Sequence, residues 1–130
     1  MQKLWLSVLW ISSGSIFGAT LRYLTALAAQ RYSLTFPFGT LAANWGGCFV
    51  IGCLAALIVE TDLLTTETRL FFITGFCGSF TTLSSLVYEC AQLLKAHEFW
   101  LAGVYWGTTF FGAFGWFYLG GILMKRLLHL

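Results

Sequence analysis

Charge is what this 130-residue chain lacks. Only 9% of its residues are Asp, Glu, Lys or Arg, against about 25% in an ordinary soluble domain. Too few ionised side chains remain to solvate a globular surface, so the chain reads as an integral membrane protein with little room for an extramembrane domain. A net charge of +2 without a basic cluster gives a nucleic acid nothing to bind. Proline occurs once, at Pro37, where a missing N–H is harmless if it opens a helix. The four cysteines form no C-x-x-C pair and read as small packed thiols. Histidine falls only in a connector (His97) and at the tail (His129), and neither is given a role. With no nucleophile–base pairing and no nucleotide motif, the expectation is a protein that is not an enzyme and has no energy source of its own.

Apolar residues fill the space left by charge: 58% of the chain, with a mean hydropathy of +0.81. Residues 4–21, 32–59, 70–88 and 99–124 carry no charge. Each run meets or approaches the roughly 20 residues needed to cross a bilayer as a helix. The reading is an all-α membrane protein, one transmembrane domain over 1–130, with spans at about 4–29, 36–59, 69–94 and 99–125. The first run lacks a small-x-small cleavage site and continues past Arg22, so it is kept as a span and not as a signal peptide. Six tryptophans and several tyrosines suit interfacial belts. If the spans alternate, one side holds Lys3, Arg69, Lys125 and Arg126, and the other Arg31 and Lys95. That bias sets orientation weakly. It suits an antiparallel homodimer of two insertion orientations, or a single orientation with a modest signal.

The stretch from Gly75 to Glu89 departs from the rest. Inside an apolar span it carries two glycines, five Ser/Thr hydroxyls, a tyrosine and a carboxylate. Such groups at membrane depth usually face a bundle interior, a cavity or an ion path. Gly78-Ser79 and Thr81-Thr82 are also where a helix could break, and a break is tolerated only when buried in protein or lining water. Ser84 and Ser85 are adjacent, so only one faces a given pore.

Other polar residues are scattered through the spans. Gly14 and Gly18 share a face and permit close helix approach. Arg22 either snorkels to the interface or holds an anion or a buried carbonyl. Thr40, Asn44 and Cys48 share a helix face; Asn44 either bonds a neighbouring helix or points its amide at an anion. Tyr105 and Thr109 face one way on the fourth span. The hydroxyls can supply donors to an ion or bond back to the carbonyl four residues earlier. Thr65 or Thr66 is expected to cap a helix start, with Glu67 in its first turn.

These residues resemble the small fluoride channel family, Fluc (CrcB), over nearly the whole chain. The landmarks are Gly18-Ala19-x-x-Arg22-Tyr23; Gly39-Thr40-Leu41-x-x-Asn44-x-x-Gly47; Gly75-Phe76-Cys77-Gly78-x-Phe80-Thr81-Thr82-x-Ser84; and Glu89. The resemblance implies four transmembrane helices per subunit with the third broken, in an antiparallel dual-topology homodimer in the bacterial inner membrane. It implies passive fluoride export and a structural, non-transported Na⁺ held by the carbonyls of Gly78 and Thr81. The fluoride pathway it implies comprises Arg22, Asn44, Thr82, Ser84, Ser85, Glu89, Tyr105 and Thr109. Leu83 and Leu86 stand where many members carry phenylalanine, whose positive ring edge leucine cannot replace; Cys48 replaces a family serine. The alternatives are a small proton-coupled multidrug exporter using Glu89, and a non-transporting assembly subunit.

Overall fold

The structure, a computed structural model, describes residues 2–130. The described residues form helices and short connectors, without strands. Helix α1 spans Gln2–Ala29 and α2 spans Phe38–Glu60. Helix α3 covers 66–80 in three parts: Thr66–Arg69, a wide-turned π segment Leu70–Cys77, and Gly78–Phe80. Helix α4 spans Leu83–Lys95 and α5 spans Phe99–Leu128. By length and apolar composition, α1, α2 and the run from Thr66 to Lys95 can each cross a membrane. Helix α5, at 30 residues, is as long as the Thr66–Lys95 run, though glycine, tryptophan and tyrosine dilute its hydropathy.

The ends follow local chemistry. Thr65 caps α3, its hydroxyl accepting the Thr68 N–H at 3.3 Å, with Glu67 in the first turn. Pro37 sits one residue ahead of α2, not inside its first turn as the sequence suggested. His97 ends the α4 region with a positive φ of 61°, the left-handed conformation common just past a helix.

Close backbone approach assembles the bundle. Gly14 and Gly18 are buried against α3, where an added Cβ would strike the carbonyls of Phe71 and Phe76. Facing them, Gly75 lies against the backbone of α1 at Ile11 and Gly14. Gly52 and Gly120 do the same for α2 and α5, meeting the carbonyls of Phe117 and Phe49. Without a hydrophobic force between helices in lipid, such small-residue contact is what lets spans associate. Leu41, Leu86, Leu93, Ala102 and Tyr105 form the buried cluster between α2, α4 and α5.

Candidate functional site

The third span is interrupted over two residues. Thr81 (φ −78°, ψ 155°) and Thr82 (φ −154°, ψ 119°) are extended, so the expected break falls at the threonine pair. The turns before it are widened as well, and π turns inside helices are frequent at functional sites.

Two other helices fasten the break. Arg22 on α1 donates from Nε to the Ser79 carbonyl at 3.0 Å. Of the readings open to this arginine, the structure shows the one in which it fixes a carbonyl. Asn44 on α2 pairs with both backbone groups of Thr82: its Oδ1 accepts the Thr82 N–H at 2.7 Å, and its Nδ2 donates to the Thr82 carbonyl at 3.2 Å. The asparagine therefore makes an interhelical bond to backbone, and one Nδ2 hydrogen is left over. The Thr81 N–H and hydroxyl both donate to Cys77 O, at 3.0 and 2.9 Å. Gly78, immediately before, is exposed.

Thr82 also starts α4. Its hydroxyl accepts the Ser85 N–H at 3.2 Å, donates to Ser85 Oγ at 3.1 Å, and lies 3.2 Å from Ser84 Oγ. Since Thr82 has one proton, Ser84 is the donor in that last contact. These three hydroxyls gather at the N-terminus of α4, where their own back-bonding to earlier carbonyls is absent. Thr109 behaves oppositely: its hydroxyl bonds back to Tyr105 O at 2.7 Å and joins neither cluster.

A second assembly lies two turns along α4. Glu89 accepts from the Thr40 hydroxyl at 2.8 Å and from the Tyr105 hydroxyl at 2.6 Å, one on each carboxylate oxygen. Tyr105 is fully buried and its ring stands edge-on to Phe36 at 5.5 Å. Glu89, Thr40, Gln92 and Gln30 line a cavity of about 650 Å³ walled by connector residues 33–37, the start of α2 and the end of α1. Thr40 was absent from the residues the sequence assigned to the pathway. Its four-residue spacing from Asn44 was the available signal.

The two leucines differ. Leu86 is 5% exposed within the buried cluster, whereas Leu83 is 72% exposed beside the break. One is a core residue, and the other is presented outward.

These features define a polytopic membrane protein built around an interrupted helix. Residues 9–121 match the family model described as CrcB-like protein, Camphor Resistance (CrcB). A "Fluoride-specific ion channel FluC" from Prosthecochloris aestuarii is 41% identical over 96% of this chain and 98% of its own length. Proteins of the same name from Chlorobium luteolum and Mannheimia succiniciproducens are 42% and 43% identical. They cover 92% and 78% of this chain, and 93% and 79% of their own lengths. The chain belongs to the CrcB family.

Proposed function

We propose that this protein is a passive fluoride channel that releases cytoplasmic fluoride across the bacterial inner membrane and so limits its toxicity. Relatives over nearly the full length bear the name of a fluoride-specific ion channel. The observation that carries the reading is a row of polar groups inside an apolar chain. Thr40 and Asn44 lie one turn apart on α2, Thr82, Ser85 and Glu89 follow one face at the start of α4, and Tyr105 meets them from α5. Fluoride is small and strongly hydrated, so a path through lipid must replace its water with dense donors. The Ser85 hydroxyl, which accepts from Thr82, keeps its own proton available, as Asn44 keeps one amide hydrogen. Glu89 is an acceptor, and its place is to orient Thr40 and Tyr105. Thr109, one turn beyond Tyr105, borders the row although its hydroxyl returns to its own helix, Ser84 flanks Ser85 beside the Thr82 hydroxyl, and Arg22 holds the break at the Ser79 carbonyl.

The active form in this proposal is an antiparallel dual-topology homodimer of four-span subunits. The weak Lys/Arg bias and the exposure of Gly78 and Leu83 beside the break support it. A structural Na⁺ at the two-fold axis would be held by the Gly78 and Thr81 carbonyls of both subunits. Their chemistry fits. In a continuous helix these oxygens would accept the N–H groups of Thr82 and Ser85, but those donors are bonded elsewhere. Hard cations take such free backbone oxygens. When bound, the ion supplies positive charge that makes the interior less hostile to an anion. No coupling is needed, because a potential negative inside favours anion exit by about 2.3 kcal/mol per charge per 100 mV.

The test is fluoride efflux from proteoliposomes holding the purified protein, against protein-free vesicles. Efflux selective for fluoride over chloride is expected. Vesicles that hold fluoride as tightly as protein-free ones would remove the proposal. Coupled movement of protons and an organic cation would favour an exporter centred on Glu89.

A further inference from the structure

The break is made by capturing backbone donors. A helix closes each carbonyl with the N–H four residues later. Two such donors around the break are taken by side chains. The Thr82 N–H, which would close on Gly78 O, goes to Asn44 Oδ1 at 2.7 Å. The Ser85 N–H, which would close on Thr81 O, goes to the Thr82 hydroxyl at 3.2 Å. At Ser79 the opposite happens. Extended backbone at Thr82 turns the Leu83 N–H away, and Arg22 Nε supplies the replacement donor at 3.0 Å. As a result Gly78 O and Thr81 O lose their helical partners, while the Ser79 carbonyl is filled by the arginine.

From this we infer that Asn44, Thr82 and Arg22 are positioning residues for the cation site, acting through the backbone of the break. Asn44 and the Thr82 hydroxyl divert the donors that would otherwise occupy the Gly78 and Thr81 carbonyls, and Arg22 removes the Ser79 carbonyl from competition. The inference rests on the sodium-dependent dimer proposed above, and it gives Asn44 a task distinct from touching fluoride. Asn44's contacts bear this out: both ends of its amide are engaged with Thr82, while the neighbouring Gly47 has no side chain and lies against the Thr81 methyl. A bulkier residue at 47 would push the break away from the asparagine. The Thr81 N–H and hydroxyl still close on the Cys77 carbonyl, the ordinary helical partner four residues back, so the diversion of donors begins at the Thr82 N–H.

The test reads sodium and not fluoride. Purified full-length dimers are unfolded thermally in detergent while sodium chloride replaces choline chloride at fixed ionic strength. The wild-type dimer should gain stability with sodium along a saturating curve. Thr82→Ser keeps the hydroxyl acceptor and should keep that curve. Thr82→Val has the same shape without the acceptor. Asn44→Leu releases the Thr82 N–H. Each should need roughly five- to tenfold more sodium for half the effect, the equilibrium cost of reopening one ordinary backbone hydrogen bond. Arg22→Gln should weaken sodium's advantage over potassium, because the Ser79 carbonyl is freed as well. Fluoride efflux lost in Asn44→Leu should return partly at high sodium. If Thr82→Val and Asn44→Leu run as folded dimers with the wild-type sodium curve, the inference is overturned and the channel reading stands. If the wild-type dimer shows no sodium response, the cation site itself fails and this inference with it. Should Asn44→Leu fail to fold, the contrast between Thr82→Ser and Thr82→Val decides alone.

Discussion

Tyr105 on α5 donates its hydroxyl to Glu89 Oε2 on α4 across 2.6 Å. Thr40 on α2 reaches the other carboxylate oxygen at 2.8 Å, so one carboxylate ties three helices together at the edge of the large cavity. A hydrogen bond to a charged group contributes about 1.5–3 kcal/mol. Tyr105→Phe keeps the ring against Phe36 and removes only the hydroxyl. It is expected to lower stability by about that amount, with slower fluoride efflux. Thermal unfolding and proteoliposome flux, measured side by side, check both. An unchanged melting temperature would mean that the contact carries no weight.

Leu83 and Leu86 are expected to respond differently to phenylalanine. Leu83 is 72% exposed, so a larger ring has open space within this chain, and Leu83→Phe should fold normally while changing flux. Leu86 is 5% exposed among Leu41, Leu93, Ala102 and Tyr105. Overpacking such a site costs about 1–3 kcal/mol, so Leu86→Phe should melt at a lower temperature. Equal stability of the two variants would contradict the assigned surroundings.

Glycine offers a similar contrast. An alanine at Gly18 would drive its methyl into the Phe76 carbonyl, whereas one at Gly103 meets nothing within 4 Å. Alanine is favoured over glycine inside a helix by about 0.5–1 kcal/mol. Gly103→Ala should therefore be neutral or slightly more stable, and Gly18→Ala should yield little folded protein. Yield and monodispersity on size exclusion give the answer.

Much of this architecture was legible in the residues. Charge-free runs marked the long helices, and Gly78-Ser79 with Thr81-Thr82 marked the interruption, because small and hydroxylated residues weaken a helix locally. The packing role of Gly14 and Gly18 followed from spacing alone. Other features left no trace. The π turns over Leu70–Cys77 occupy a sequence that would suit an ordinary α-helix equally well. Asn44 binds backbone, and a backbone partner has no residue-type signature, so its two readings could not be separated. Thr109 and Ser85 look alike in sequence, yet one returns its proton to its own helix and the other does not. What separates them is the cap at Thr82, a consequence of the break. The difference between Leu83 and Leu86 likewise depends on which helices cover α4.

Orientation supplies the last prediction. With Lys3, Arg69, Lys125 and Arg126 on one side and Arg31 and Lys95 on the other, the proposed dimer needs both insertions to occur. Replacing Arg31 and Lys95 with glutamine leaves the Lys and Arg outside the spans on one side only, Arg22 lying within α1, and should fix one orientation. Replacing Lys3, Arg69, Lys125 and Arg126 should fix the other. The second set breaks the Lys125–Glu60 ion pair, 2.9 Å long but with the lysine 52% exposed; solvent screens such surface pairs, so the fold should survive. Labelling of a terminal cysteine from each side of the membrane reports orientation directly. Each variant expressed alone should lack fluoride efflux, and co-expression should restore it, because only the mixture can pair inverted subunits. Full efflux from either fixed-orientation variant alone would refute the antiparallel dimer.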